Sequence, residues 1–229
     1  MRHPLRLVTA TCRVLGRRAW LAVALTALSL APLAWDVERM THAAQRLGPP
    51  AVQGVRALQP LLVSLTEADD AARLDGVNRF FNRRIVFRDD LQVWHVEDYW
   101  ASPLETLQQG AGDCEDFAIA KYFSLLATGM PASQLRLVYV RLQIGGAGGP
   151  SQPHMVLAYY ASAGSEPLIL DNLVTEIRLA SRRPDLTPVF SFNSEGLWQG
   201  SGSQRMGDAA ERLSPWRDVL RKARAEGFL

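Results

Sequence analysis

The chain has 229 residues, and 25 basic against 23 acidic side chains give it a formal charge of only +2 at pH 7. Residues 1–35 hold five arginines and no acid, so the remainder carries 20 basic and 23 acidic groups, about −3. With 48% hydrophobic and 21% charged residues, the composition excludes a disordered or fibrous protein. The basic excess lies at one end, and no basic run with interleaved aromatics follows it, which argues against nucleic-acid binding.

The first 35 residues have the layout of an export signal. An uncharged stretch rich in Leu and Ala, residues 19–35, follows the arginines, as in a signal peptide or an N-terminal membrane anchor. Its seventeen residues lie at the lower end of the roughly 17 to 25 needed to span a bilayer, which leaves both alternatives open. A buried first helix is less expected, because five arginines without an acid would flank it. We expect the rest of the chain to lie outside the cytoplasm, either free or anchored through residues 19–35.

The two cysteines fall on either side of this boundary. Cys12 lies in the leader, so the exported part has only Cys114 and forms no internal disulfide. An unpaired thiol in an oxidising compartment is expected to be buried or functional. Cys114 is therefore the first candidate for a site residue.

Turn and capping residues predict where the first helix of the exported part lies. Gly48-Pro49-Pro50 indicates a break in the chain. Thr66 followed by Asp69 has the form of a capping box, which predicts a helix that extends to about Asn82. The residues expected on its buried stripe are Ala71, Leu74, Val77 and Phe81.

A second helix start precedes the segment that contains Cys114. Ser102-Pro103-Leu104-Glu105 combines an N-cap, a proline at the first helical position and an acid three residues after the cap. A glycine turn at 110–112 then leads into an apolar helix with Cys114 in its first turn. Gly129-Met130-Pro131 predicts the end of this core helix.

The second half of the exported part has the pattern of strands. The predicted segments are strands at 135–142, 154–160 and 167–172, a flexible loop at 145–150 and a further hairpin at 190–198. A turn at 161–164 makes the second and third strands an antiparallel hairpin. Residues 200–207 are predicted to be a linker before a terminal helix that begins at Ser214-Pro215. Helices followed by strands predict an α+β domain over residues 50–200, with 201–229 as linker and C-terminal helix.

A cysteine in the first turn of a helix has favourable surroundings for nucleophilic chemistry. Backbone N–H groups and the positive helix end both favour the thiolate, which is the reactive form. Three histidines outside the leader could supply a base. His42 and His95 lie in segments without a predicted regular element, whereas His154 opens a strand beside the glycine-rich loop.

Asp171 completes a candidate triad. It ends the strand after His154, and the predicted hairpin brings the two side chains close together, where a carboxylate can hold the imidazole in one tautomer. Each member also has an ordinary interpretation. Cys114 could be an inert core residue, His154 a solvent-bonded residue at a strand end, and Asp171-Asn172 a plain turn. Spacing alone leaves both interpretations open.

Several long segments resemble the bacterial transglutaminase-like cysteine proteinases of the LapG type. They are GAGDCEDFAIAKY at 110–122, HMVL at 154–157, LDN at 170–172, RPDLTPV at 183–189 and FN at 192–193. The resemblance covers about residues 60–200. It implies a papain-like or transglutaminase-like core with helices packed on an antiparallel sheet, a periplasmic location, and a triad formed by Cys114, His154 and Asp171.

The acids around Cys114 need a separate explanation, because negative charge beside a thiol raises its pKa. The resemblance implies calcium binding with Asp113 and Glu115 as ligands, and carboxylate oxygens suit this hard cation. Asp116 is a weaker candidate. The alternative is a helix N-cap at Asp113 followed by ordinary first-turn acids. For the oxyanion, the backbone N–H of Cys114 and the indole N–H of Trp94 or Trp100 are candidate donors, although either tryptophan could simply belong to the core.

The resemblance also implies a function. It predicts a calcium-dependent periplasmic cysteine endopeptidase that cleaves the N-terminal region of a large surface adhesin and so promotes biofilm dispersal. An inner-membrane cyclic-di-GMP receptor is the implied sequestering partner. Two alternatives remain: a transglutaminase-type acyltransferase, which shares the triad, and a non-catalytic calcium-binding periplasmic module in which Cys114 is merely buried.

Overall fold

The computed structural model describes residues 35–146 and 148–229. The predicted leader, apart from its last residue, lies outside the described residues. The helices are α1 (Val37–Leu47), α2 (Pro49–Leu65), α3 (Asp70–Arg84), α4 (Asp90–Val93), α5 (Pro103–Gln109), α6 (Cys114–Ala127), α7 (Ala209–Arg212) and α8 (Ser214–Ala225). The strands are β1 (Val86–Phe87), β2 (Ala111–Gly112), β3 (Leu135–Gln143), β4 (Ser151–Tyr159), β5 (Leu168–Leu170), β6 (Arg178–Leu179), β7 (Leu186–Asn193), β8 (Gly196–Gln199) and β9 (Arg205–Gly207).

Seven strands form one antiparallel sheet in the order β6-β5-β4-β3-β7-β8-β9. The predicted hairpins are present, since β4 pairs with β5 and β7 pairs with β8. The α+β class predicted from the sequence is therefore confirmed. β4 begins earlier than predicted, because residues from Ser151 onward continue the ladder with β3, and His154 lies opposite Val140 inside the strand.

Alternation along the central strands gives the sheet two apolar faces. Leu137 of β3 and Leu157 of β4 belong to the main core with the helices, whereas Val138 and Val156, one residue away in each strand, belong to a smaller cluster on the opposite face. The helices thus cover one face. The other face is covered by side chains of the sheet and its loops.

The N-terminal helices show one capping prediction that is wrong. Thr66 ends α2, and its hydroxyl donates to the Leu62 carbonyl inside that helix. Asp69 is the N-cap of α3, where its carboxylate accepts from the Ala72 N–H at 2.8 Å. Ala71 consequently lies on an exposed position, while the rest of the predicted stripe, Leu74, Val77 and Phe81, is buried. Gly48 separates α1 from α2 as predicted.

The C-terminal region is part of the fold and not an appendage. The predicted linker at 200–207 contains β9, which pairs with β8. Trp216 and Val219 of α8 are fully buried in the main core, as is Met40 of α1. The compact unit is therefore wider than the predicted domain of residues 50–200.

The two ends of the described chain meet. The Asp36 N–H donates to the Gly227 carbonyl at 2.8 Å. Gly227 has φ +85°, and a Cβ there would lie 2.7 Å from the Asp36 carbonyl oxygen, so this position needs glycine. Within residues 35–146 and 148–229, no helix has the length and apolar character needed to cross a membrane.

Candidate active site

Local structure before Cys114 places this residue at the first position of α6. Ser102 and Glu105 form the predicted capping box of α5. Gly110 ends α5 in the left-handed conformation, at φ +61°, and β2 then pairs in parallel with β1. A Cβ at Gly112 would collide with the Asp116 carboxylate, so glycine is also required there. The predicted turn and helix end are confirmed, since Gly129 follows α6 with φ +89°.

The Cys114 thiol lies between Glu115 and β4. Among the described residues its hydrogen bond goes to Glu115 Oε2, at 3.0 Å, and not to His154. Burial raises the pKa of the thiol strongly, the charges of Glu115 and Asp113 raise it further, and a hydrogen bond from the Met155 backbone lowers it only in part. Burial and the neighbouring carboxylates thus favour the protonated form of the thiol. Its contact with Met155 places the sulfur against β4, one residue from His154.

His154 and Asp171 form a buried pair, as predicted. His154 Nε2 and Asp171 Oδ1 are 2.8 Å apart, and their side chains are 2% and 0% exposed. Burial alone would raise the pKa of Asp171, but hydrogen bonds from His154, Leu173 and Arg183 outweigh it and lower the pKa to about 2. An ionised Asp171 accepts a hydrogen bond from Nε2–H, which leaves Nδ1 as the unprotonated nitrogen when the imidazole is neutral.

The other two candidate histidines do not join this pair. His42 lies on α1, a regular helix that the sequence did not predict, and is exposed. His95 is also exposed, in an irregular segment with φ +60°.

Asp171 has three further side-chain partners that sequence reasoning missed. Arg183 Nη1 lies 2.8 Å from Asp171 Oδ2. Asn82 Nδ2 and Lys121 Nζ donate to the Asp171 carbonyl at 2.8 Å and 3.1 Å. Lys121 is fully buried, and burial lowers its pKa to about 7. Lys121 and Arg183 lie in the segments that resemble the proteinase family, but nothing in the spacing assigned them a partner.

Five acids gather beside Cys114. Three overlapping groups have oxygens within 4.8 Å of one another or of the thiol; they are Asp113 with Cys114 and Glu115, Asp90 with Asp113 and Asp116, and Asp90 with Asp98 and Glu115. The predicted ligands Asp113 and Glu115 are thus joined by Asp90, Asp98 and Asp116. Asp90 and Asp98 were missed, because they come from the start of α4 and from the loop after it, and no local spacing encodes how these approach α6.

The cluster fits a hard cation better than a helix cap. Asp113 occupies the N-cap position, but its side chain makes no capping hydrogen bond. Asp90 Oδ1, Asp113 Oδ1 and Asp116 Oδ2 are buried and have no hydrogen-bond partner among the described residues. Burial and then neighbouring charges raise the pKa of Asp113 and of Asp116, and burial raises that of Asp90 to about 6. Buried carboxylate oxygens that lack a donor are suitable ligands for calcium.

The two candidate tryptophans differ in the partner of their indole N–H. Trp100 Nε1 donates to Asp98 Oδ1 at 2.9 Å, so this donor is occupied. Trp94 Nε1 is buried and has no acceptor among the described residues. Of the two, Trp94 is the one whose N–H has no partner in the part of the chain that the structure describes.

Comparison with known families gives this geometry its context. Residues 54–185 match the family described as bacterial transglutaminase-like cysteine proteinase, over more than half of the chain. The chain belongs to this family.

Solved structures agree with the family assignment. Legionella pneumophila LapG is 40% identical, with a TM-score of 0.70 and coverage of 84% of this chain and 99% of that one. Its EGTA-treated form is 41% identical, with a TM-score of 0.72 and coverage of 84% and 99%. Its calcium-bound form is 39% identical, with a TM-score of 0.70 and coverage of 82% and 98%. A comparison with curated protein sequences found no match. The fold is therefore that of a LapG-like, transglutaminase-like cysteine proteinase, as predicted.

Proposed function

We propose that this protein is a calcium-dependent cysteine endopeptidase with Cys114 as nucleophile, His154 as general base and acid, and Asp171 as the carboxylate that orients the imidazole. The observation that carries the proposal is the buried hydrogen bond between His154 and Asp171, beside a thiol at the N-terminus of α6. Membership in the cysteine proteinase family supports the same assignment. A merely structural cysteine would not need such a pair next to it.

The residues define a sequence of proton transfers. His154 Nδ1 takes the Cys114 proton, and the thiolate attacks the carbonyl carbon of the scissile peptide bond. The backbone N–H of Cys114 and the indole N–H of Trp94, which has no partner among residues 35–146 and 148–229, are the candidate donors for the oxyanion. His154 then protonates the leaving amine, and water attacks the thioester with His154 again as base. Asp171 stabilises the imidazolium at each stage without itself taking the proton.

The acids beside the thiol explain why a cation would be needed. When bound, calcium would supply two positive charges that offset part of the negative charge of the five carboxylates. Asp90, Asp98, Asp113, Glu115 and Asp116 are the residues that would hold it. A Glu115 carboxylate that held the cation would no longer accept from the thiol, as it does here at 3.0 Å, and His154 would then be the acceptor for the Cys114 proton. The calcium-bound structure of Legionella LapG supports this proposal.

The substrate, location and partner are proposed from the resemblance. The substrate is the N-terminal region of a large surface adhesin in the periplasm, its cleavage releases the adhesin and disperses a biofilm, and an inner-membrane cyclic-di-GMP receptor sequesters the proteinase. The arginine-rich leader, removed or retained as an anchor, supports export.

A cleavage assay on the adhesin N-terminal fragment tests the function. Wild type, Cys114→Ala and wild type with a calcium chelator are compared in parallel, and calcium is then restored to the chelated sample. We expect cleavage only by wild type with calcium, and recovery when calcium is added back. Cleavage by Cys114→Ala would refute the nucleophile, and full activity with the chelator would refute calcium dependence.

A second assay separates hydrolysis from acyl transfer, since both use the same thioester. The adhesin fragment is incubated with the enzyme and a labelled primary amine. We expect two unlabelled fragments. Amine attached to a glutamine side chain of the uncleaved fragment, with release of ammonia, would instead support a transglutaminase.

A further inference from the structure

A buried guanidinium lies between two carboxylates behind the candidate triad. Arg183 Nη1 is 2.8 Å from Asp171 Oδ2, and Nη2 is 2.7 Å from Asp185 Oδ2. Arg183 Nε adds a bond to Asp185 Oδ1 at 3.0 Å. The Arg183 side chain is 3% exposed, whereas Asp185 is 33% exposed. Nε and Nη2 of Arg183 therefore bind the partly exposed Asp185, and Nη1 binds Asp171.

The two oxygens of Asp171 have separate tasks. Oδ1 accepts from His154 Nε2 and from the Leu173 N–H at 3.0 Å. Oδ2 accepts from Arg183. Because the guanidinium fork is planar and its donors are fixed, this division sets the rotation of the carboxylate and so the direction in which Oδ1 faces the imidazole.

We propose that Arg183 is a positioning residue for the reaction, which acts through Asp171 and is itself held by Asp185. The inference rests on the proposed triad. A carboxylate with a fully buried side chain remains charged only with hydrogen-bond donors or a cation beside it, and Arg183 supplies a permanent positive charge without competing for Oδ1. His154 Nε2 therefore always faces an anion in one orientation. A lysine at this position would supply the positive charge, but its ammonium group lacks the planar fork with which Arg183 binds Asp171 on one side and Asp185 on the other.

The other charged group near Asp171 does not replace Arg183. Lys121 donates to the Asp171 backbone carbonyl and not to its carboxylate. Lys121 thus fixes the main chain at this residue, and Asn82 does the same. Among the described residues, Arg183 is the donor that holds Oδ2 of the carboxylate.

Arg183 also lines a cavity of about 80 Å³ on the sheet face away from the helices. Its walls are apolar and include Val140, Val156 and Ile169. Removal of the Arg183 side chain would enlarge this cavity next to an uncompensated Asp171. A small planar cation such as guanidinium has the shape and charge to enter it.

The experiment uses the full chain with calcium and the adhesin fragment, and compares Arg183→Ala and Arg183→Lys with Arg182→Ala. Arg182 is the exposed neighbour and serves as matched control. We expect Arg183→Ala to lower kcat about 100-fold, as misplaced catalytic groups do, with KM within about twofold. Guanidinium at millimolar concentration should raise the kcat of Arg183→Ala by at least about tenfold. Arg183→Lys should lower kcat about tenfold, because one charge-assisted contact is lost, and Arg182→Ala should match wild type.

A structural role would give a different pattern. Guanidinium rescue of Arg183→Ala, but not of His154→Ala or Asp171→Ala, supports the proposal. Wild-type kcat in Arg183→Ala or Arg183→Lys, or a loss in KM alone, overturns it. Should Arg183→Ala fail to fold, Arg183→Lys decides by the same kcat criterion. If Cys114→Ala or Asp171→Ala keeps full activity, the proposed triad is wrong. If Asp171→Ala is inactive but the Arg183 variants have the activity of wild type, the triad stands and only the role of Arg183 is refuted.

Discussion

Cys114 experiences two opposite influences, and their magnitudes decide its state. A helix N-terminus carries roughly half a positive charge, and its effect on a nearby anion is about 0.3 to 1 kcal/mol at exposed sites. Full negative charges on Glu115 and Asp113, together with burial, act against the thiolate. Burial and these two carboxylates therefore outweigh the helix end, and the pKa of the Cys114 thiol is raised.

Asp171→Asn tests the orienting carboxylate with almost no change in shape. The amide cannot stabilise an imidazolium, and its NH₂ group favours the wrong imidazole tautomer, so we expect kcat to fall by about 10⁴-fold. Steady-state cleavage of the adhesin fragment measures the change. Asp218→Asn, at a position that is 59% exposed, is the control. A loss below about tenfold in Asp171→Asn would contradict the assignment.

The lowered pKa of Asp171 also predicts acid sensitivity. A carboxylate whose pKa falls from 3.8 unfolded to about 2 folded stabilises the protein above pH 4, and this contribution is lost as the pH falls towards 2. It corresponds to about 2 kcal/mol. Between pH 5 and pH 2, the free energy of unfolding of the wild type should therefore fall by about 2 kcal/mol more than that of Asp171→Asn. Urea unfolding at each pH measures this difference. If the free energies of unfolding of wild type and Asp171→Asn change in parallel with pH, the predicted effect is absent.

At the scale of elements, α8 supports the segment that leads to the acid cluster. Lys222 Nζ binds Glu105 Oε2 at 2.6 Å and the Trp100 carbonyl at 2.9 Å. Glu226 accepts from the Ser102 hydroxyl and from the Leu104 N–H. The same segment delivers the Ala101 N–H to Asp116 Oδ1 at 2.8 Å. The C-terminal helix thus helps to fix one wall of the proposed calcium site.

Lys222→Met should weaken both the fold and the site. Lys222 is 17% exposed, and loss of its charge-assisted contacts with Glu105 should lower the free energy of unfolding by about 1 to 3 kcal/mol. Calcium affinity should fall with it, because the segment that carries Asp98 loosens. Arg221→Met is the control, since Arg221 is 73% exposed. Urea unfolding and calorimetric calcium titration measure the two effects. Equal free energies of unfolding and equal calcium affinities in the two variants would refute the role of Lys222.

The same elements show what the sequence could and could not predict. The box at Ser102 and Glu105 was predictable, because its contacts span three residues. Thr66 carries the same local signal as a cap, but α2 continues to Leu65 and uses Thr66 as its end. Asp90 and Arg183 were not predictable as site residues, because their partners depend on how distant segments pack.

Across the whole molecule, the acid cluster couples stability to pH and to calcium. Burial raises the pKa of Asp90 to about 6 and also raises those of Asp113 and Asp116. A raised folded pKa means that stability is fully present below the unfolded value near 4 and is lost as the pH rises through the folded value. Calcium binds the deprotonated carboxylates. It should therefore increase stability most at high pH, where the protein without calcium is least stable.

We therefore expect calcium to raise Tm more at pH 8 than at pH 5. At a calcium concentration of about 100 times Kd, the stabilisation is about 2.7 kcal/mol, or roughly 5 to 10 °C for a chain of this size. Without calcium, Tm should be higher at pH 5 than at pH 8. Differential scanning fluorimetry measures both trends, and magnesium at equal ionic strength is the control. A calcium shift of the same size at both pH values would contradict this coupling.

The hydrogen bond between Asp36 and Gly227 has a topological consequence. Since the ends of the described chain touch, a short peptide could join them, and new termini could be opened in an exposed loop such as residues 161–164. Such a circular permutant would keep every strand pairing of the sheet, including that of β4 with β5, and would lose only the loop that connects these two strands. A fusion partner attached at residue 229 would also emerge beside residue 36, so neither end of this compact unit offers a separate place for a tag.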